Sequence, residues 1–217
     1  QAAQEALREA ERHLQAAAGG ADTALLSDSL AAEPRMRGLG NRQALLLLRE
    51  GKLDEVGAWE RQTDAQRLLG GAARSQTDFY ACIVLARLFL ARGDAERASE
   101  LLRSLDELAQ AKGWLNRRIG VLVLRALADE ARALSDSALA HLTLALQLGQ
   151  AEGYVRAFLD QGPAVAPLLA RAAQRGIAPS YSSRLLAAFA PNLVLAEAAS
   201  SAAAAPRAAH SPLAEPL

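Results

Sequence analysis

A chain of 217 residues with 51% hydrophobic side chains holds one large domain or two small ones and is not intrinsically disordered. Aromatic residues make up only 4%, a composition that favours closely packed helices over sheets. Lys plus Arg and Asp plus Glu both number 24, so the chain lacks the basic excess of most nucleic-acid-binding domains. We therefore predict an all-α protein that does not itself bind DNA.

The predicted helices are arranged in pairs along the chain. Residues 4–18 form a charged, Ala-rich helix that ends at a Gly-Gly pair, and residues 1–35 are interpreted as the remnant of a preceding repeat. Three helix pairs follow over residues 36–152. Their first helices are predicted over residues 36–50, over 79–92 and from 114 onwards. Their second helices are predicted over 53–63, over 94–112 and up to residue 152, and Asp94 is the N-cap of the helix over 94–112.

The turns within these pairs repeat with a period of about 40 residues, a length typical of two-helix repeats. They stand at Gly51, Gly93 and Ala133, each after a Leu-rich helix end. Five positions after each turn is a side chain small enough to let the two helices approach closely: Val56, Ala98 and Ala138. Two helices per unit of this length predict a TPR-like α-solenoid, a right-handed superhelix whose concave surface is lined by the first helix of each pair.

Shorter elements follow the third pair. Helices are predicted over residues 154–160, 163–174 and 179–189, with Pro163 and Pro179 near helix starts and Gly162 and Gly176 at helix ends. We expect these short helices to cap the stack, which gives a helical-repeat domain over residues 1–190. Residues 191–217 are rich in Ala, Ser and Pro and are interpreted as a linker.

The segment over residues 152–162, with the sequence EGYVRAFLDQG, is the most specific in the chain. Together with Leu168-Leu169 and RGIAP over 175–179, it strongly resembles the end of the helical-repeat region in MalT-like, LuxR-type transcription activators. The resemblance covers residues 38–189, weakly over the repeats and specifically from 152 onwards. It implies a structural signature of six residues: Gly153, Tyr154, Arg156, Phe158, Asp160 and Gly162. Tyr154 and Phe158 are four positions apart and are expected on one helix face, and Arg156 is expected to pair with Asp160 on another.

The resemblance also implies a role. In such regulators this region senses a signal and promotes self-association, while ATP binds an upstream domain and DNA binds a C-terminal helix-turn-helix. The present sequence contains no phosphate-binding loop or dinucleotide fingerprint, so no cofactor is expected in it. We interpret the chain as a middle piece of a bacterial regulator, with the linker leading toward a DNA-binding domain that is not part of it.

Catalysis is not predicted. His13, His141 and His210 are far apart, and the single Cys82 lies in an apolar run typical of a core thiol. One cysteine forms no internal disulfide, and no apolar run approaches the roughly 18 residues that span a bilayer. The N-terminal residues do not show the charged-then-apolar pattern of a signal peptide. We therefore expect a non-enzymatic, cytoplasmic protein without a membrane partner.

The predicted ligand site lies on the first helices of the second and third pairs. An aromatic platform beside Arg and Asn donors could bind a sugar, a carboxylate or a peptide, and six residues supply one: Tyr80, Arg87, Trp114, Asn116, Arg117 and Arg118. Alternatively, Trp114 packs between repeats while Arg117 and Arg118 pair with acidic neighbours.

Two further interpretations stay open. The chain could be a generic TPR-like scaffold that binds peptides or partner proteins in its groove. Apolar surface near Leu7 and Leu14, at the N-terminal edge, could drive self-association.

Overall fold

The computed structural model describes residues 34–63, 65–69 and 75–189, and within these ranges it contains helices and turns but no strand. The first pair is α1 (Pro34–Arg49) and α2 (Leu53–Gln62), followed by the short α3 (Ala65–Leu69). The second pair is α4 (Gln76–Ala91) and α5 (Ala95–Ala111), and the third is α6 (Leu115–Ala131) and α7 (Ser135–Glu152). Then come α8 (Arg156–Leu159), a 3-10 turn (Pro163–Val165), α9 (Ala166–Gln174) and α10 (179–189).

Some sequence predictions fall on residues that the structure does not describe. They are the helix over 4–18, the edge residues Leu7 and Leu14, His13, His210 and the linker over 191–217. None of the helices within the described ranges is long and apolar enough to cross a membrane.

Left-handed turns recur at equal intervals through the second and third pairs. Each turn residue has φ between 59° and 80°, and these residues are Gly93, Gly113, Ala133 and Gly153. The next residue donates its N–H to the carbonyl five positions back, for example Asp94 to Phe89 at 2.9 Å, as in a Schellman cap. The predicted equivalence of Gly51, Gly93 and Ala133 is confirmed, because Gly51 has φ of 72° and Lys52 donates to the Leu47 carbonyl at 3.0 Å. Gly113 and Gly153 form the same turn after the second helix of a pair, which was not predicted.

The helices of a pair approach closely where the sequence places small side chains. Val56, Ala98 and Ala138 are all 0% exposed. Cys82 is buried in the core around α4 and α5, as predicted. Burial, and secondarily the charge of Asp78, raises the pKa of its thiol to about 12. This thiol is therefore a core side chain and not a nucleophile.

Helix α4 begins earlier than the predicted Phe79. The side chain of Ser75 accepts from the Asp78 N–H at 3.0 Å, and the Asp78 carboxylate accepts from the Ser75 N–H at 3.1 Å. This reciprocal capping box starts the helix at Gln76. Helix α3, which places Leu68 in the core, was not predicted.

The C-terminal helices cover the end of the third pair. Phe158 of α8 is fully buried against α7, where Gly149 has no side chain: a Cβ there would lie 2.8 Å from the Phe158 ring. Tyr181 of α10 meets the Phe158 ring edge-on with centroids 5.8 Å apart, and its hydroxyl donates to the Tyr154 carbonyl. Arg171 of α9 donates to Glu130 of α6 at 2.9 Å.

Candidate ligand-binding site

We call the side of α4 and α6 that carries Tyr80 and Arg87 on α4 and Asn116 and Gly120 on α6 the first-helix face. Tyr80 and Asn116 are exposed, whereas Arg87 and Gly120 are partly covered by Gln161. Neighbouring first helices pack on each other, α1 on α4 and α4 on α6. Tyr80 and Arg87 are two helical turns apart, roughly 10 Å along the axis. Tyr80 is 46% exposed although its neighbours Phe79 and Ala81 are buried. The face therefore spans two repeats.

Three predicted residues meet at one end of this face, and we call Tyr80, Trp114 and Arg117 the aromatic patch. The Arg117 guanidinium lies 4.5 Å from the centre of the Trp114 ring and 5.5 Å from that of Tyr80. Arg117 also donates to the Gln76 side-chain oxygen at 2.9 Å. Phe79 supports both rings edge-on, with centroid distances of 5.6 Å to Trp114 and 6.3 Å to Tyr80. Cation–π contacts thus join α4 to the start of α6.

Arg118 does not join this patch. Its Nε donates to one carboxylate oxygen of Asp106 at 2.9 Å, and Arg125 donates to the other at 2.7 Å. Asp106 is buried, so this triad ties α5 to α6 within the stack. Asn116, in contrast, is exposed on the first turn of α6 beside Arg117.

Arg87, at the other end of the face, contacts the segment that follows α8. Its Nη2 donates to the backbone carbonyl of Asp160 at 2.9 Å and to the side-chain oxygen of Gln161 at 2.6 Å. Burial, and secondarily the nearby Arg49, lowers the pKa of Arg87 to about 10, while Asp160 acts in the opposite direction. The guanidinium still remains charged at neutral pH.

Gln161 was not identified from the sequence. Its side-chain nitrogen donates to the Ala157 carbonyl at 2.8 Å and would lie 3.1 Å from a Cβ built on Gly120. The helical glycine and this glutamine belong to different repeats and are distant in the chain, so no local pattern indicates their pairing.

The structure offers no metal centre among the residues it describes, where no group of three or more His, Cys, Asp and Glu side chains could hold an ion. His141 instead hydrogen-bonds to the buried Asp129 at 2.8 Å. A surface hollow of about 390 Å³ lies on α5 and includes none of the predicted ligand residues; it is lined by Arg97, Glu100, Leu101, Arg103 and Ser104. Because one helix supplies all these side chains, they do not converge on a ligand, and we assign no site there.

The sequence model of the MalT-like TPR region matches residues 1–175. The chain belongs to the MalT-like TPR region family. The predicted family and the predicted all-α, TPR-like fold are thereby confirmed. No curated protein and no solved structure shows a significant match to the chain. The match to the MalT-like TPR region includes the N-terminal residues, which the resemblance did not cover, and ends before α10. Helical-repeat regions of this kind are scaffolds and not typical enzymes.

The six residues predicted as a structural signature lie where α7 passes into the C-terminal helices. Gly153 has φ of 69° and Gly162 has φ of 94°, so both take backbone conformations that favour glycine. Arg156 pairs with Asp160 at 3.3 Å on the surface, as predicted. The prediction that Tyr154 and Phe158 share a helix face is wrong, because Gly153 ends α7 and α8 begins only at Arg156.

Proposed function

We propose that the chain is the signal-sensing and interaction region of a MalT-like, LuxR-type bacterial transcription regulator that works in the cytoplasm. Family membership over residues 1–175 supports the part of this proposal that assigns the chain to a MalT-like regulator. In this proposal the region binds an effector and contributes to self-association, and it holds no cofactor. ATP and DNA binding belong to other domains of the regulator.

The aromatic patch is the observation that carries the sensing role. An exposed Tyr80 and a half-buried Trp114 flank the Arg117 guanidinium, and the exposed Asn116 precedes Arg117 on the first turn of α6. Rings offer a stacking surface to a sugar or an aromatic ligand, and the polar groups would fix its orientation. A ligand here would touch α4 and α6 together, and would favour the arrangement of the two repeats that it binds best.

A peptide-binding scaffold is the second candidate. Tyr80 is 46% exposed on an open helix surface, which suits an extended or helical peptide as well as a small molecule. Under this alternative, partner proteins and not an effector would occupy the first-helix face.

Thermal unfolding of the chain with a panel of sugars, amino acids, aromatic acids and short peptides tests both candidates. A ligand at 100 times its Kd stabilises the native state by about 2.7 kcal/mol, which raises Tm by roughly 5–10 °C for a chain of this size. We expect Tyr80→Ala to abolish the shift. Leu134→Ala is the matched control, because Leu134 is also a large apolar residue at 44% exposure but lies outside the patch.

The outcomes separate the two candidates. A shift from a small molecule that Tyr80→Ala abolishes supports the sensor, and a shift from peptides alone supports the scaffold. If no compound shifts Tm, or if Leu134→Ala removes the shift equally, a ligand role for the aromatic patch is refuted. Sedimentation velocity with and without the active compound measures self-association.

A further inference from the structure

We infer that Arg87 anchors a carboxylate-binding site on the first-helix face, and that Gln161 occupies this site in the structure as an internal substitute for the ligand. The inference deepens the proposed function and rests on it, because it names a ligand class at the second end of the same face.

Neutral acceptors hold the Arg87 guanidinium. Its Nη2 donates to the Gln161 amide oxygen at 2.6 Å and to the Asp160 backbone carbonyl at 2.9 Å. In the part of the chain that the structure describes, no ion pair joins Arg87 to a carboxylate. Both hydrogen bonds are already strengthened by the positive charge of Arg87, and a ligand carboxylate would add the Coulombic attraction between opposite charges, which the neutral amide of Gln161 does not supply. A ligand carboxylate therefore has an advantage over the amide of Gln161.

The Nε donor of Arg87 lies on the edge of the guanidinium to which a carboxylate would bind. Its Nε is buried and makes no hydrogen bond within the described ranges. Nε and Nη2 together form one edge of the guanidinium fork, which matches the two oxygens of a carboxylate. Gln161 offers a single oxygen and satisfies only Nη2. A carboxylate in its place could accept from both donors.

Charges of both signs lie near Arg87. Arg49 lies near enough to lower the pKa of Arg87, although burial is the larger cause. The carboxylate of Asp160 pairs with Arg156 at 3.3 Å, so it is engaged on the surface while its backbone carbonyl faces Arg87. The Asp160 carboxylate raises the pKa of Arg87, and its pairing with Arg156 partly offsets the repulsion that it would exert on a ligand carboxylate.

Displacing Gln161 would loosen the C-terminal segment. The Gln161 side chain lies over α6 at Gly120, where a Cβ would come within 3.1 Å of it, and it reaches Arg87 on α4. These contacts join the residues between α8 and α9 to the second repeat. A carboxylate that replaces Gln161 would remove that connection. Ligand binding would thereby be coupled to the position of the C-terminal helices α8 to α10.

Succinate, titrated calorimetrically at constant ionic strength, is the probe. Hydrogen exchange at the backbone amides of residues 160–165, except Pro163, which has none, is the second readout. A hydrogen bond to a charged group must be broken before succinate binds, so Gln161→Ala should bind it about tenfold more tightly than wild type. Gln161→Glu should not bind it, because its own carboxylate would occupy Arg87. In wild type, saturating succinate should speed exchange at residues 160–165.

Arg87→Gln should lose binding, and the matched control Arg103→Gln, an exposed arginine on α5, should bind like wild type. The inference is overturned if Gln161→Ala shows no saturable binding, or if Gln161→Glu binds succinate as well as wild type does. Gln161→Glu decides the matter even if Arg87→Gln does not fold. A Tyr80-dependent ligand response that survives while succinate binding fails would refute only this site and leave the proposed function standing.

Discussion

Gly149 decides how closely the C-terminal helices approach the third pair, and Gly149→Ala tests this directly. Glycine in the interior of α7 costs about 1 kcal/mol in helix propensity relative to alanine. On propensity alone, the substitution should stabilise the protein. The structure predicts the opposite, because a Cβ at this position would lie 2.8 Å from both the Phe158 ring and the Tyr181 hydroxyl oxygen.

The size of the effect follows from the contacts. Carbon atoms pack best at about 3.5–4.0 Å, so the ring would have to move by roughly 1 Å. Phe158 is 0% exposed and is held edge-on by Tyr181, which leaves it little room. Overpacking of this kind costs about 1–3 kcal/mol. After the propensity gain, we expect a net loss of about 1 kcal/mol, or a Tm lower by about 2–4 °C.

Thermal and urea unfolding of a double-mutant cycle provide the assay. In a Phe158→Leu background the ring is absent, so Gly149→Ala should cost less there, with a coupling free energy of about 1 kcal/mol. If Gly149→Ala raises Tm in the wild-type background, or if the two substitutions are additive, then the packing of α8 on α7 is not as close as described.

Three further predictions concern the turns, the core thiol and the buried ion triad. Ala133→Gly should raise Tm because φ of 59° costs an alanine about 1 kcal/mol, whereas Ala140→Gly, on the exposed side of α7, should lower it by a similar amount. Cys82, with a pKa of about 12, should resist thiol reagents at pH 8 until the protein unfolds. Above pH 9 only the unfolded thiol ionises, so the free energy of unfolding should fall by about 1.4 kcal/mol per pH unit relative to Cys82→Ala. Asp106→Asn should cost about 3 kcal/mol in urea unfolding, because two arginines lose their carboxylate, while Asp54→Asn on the exposed side of α2 should cost almost nothing.

The repeat was predictable because its signals are local. The left-handed turn at Gly93 and the small residue at Ala98 are close in the chain, and their recurrence one period later reveals the pair without any knowledge of distant contacts. The apolar run that begins at Phe79 predicts a helix start three residues late, because it gives no weight to the polar capping-box spacing of Ser75 and Asp78.

The candidate site was predictable only in part. Aligning the repeats placed Tyr80 and Arg117 in comparable helices, and the aromatic patch brings them together. Arg118 lies outside the patch because of how α6 is rotated about its axis. The repeat period in the sequence does not determine this rotation to within one residue. The contact of Arg87 with Gln161 joins side chains that are far apart in the sequence and depends on how each repeat is tilted on the next.

The Arg87–Gln161 contact joins α4 to the segment after α8, and Gln161 also contacts α6. In a solenoid each repeat contacts mainly its neighbours, so a change in one repeat reaches the next through their shared interface. Arg87 belongs to α4 and Gln161 to the segment after α8; their side chains meet at 2.6 Å, and Gln161 also lies against Gly120 of α6. A ligand on the aromatic patch that rotates α6 relative to α4 would change the distance across which Gln161 must reach. The two ends of the first-helix face would then respond to each other, and binding at either end would alter how the C-terminal helices sit on the stack.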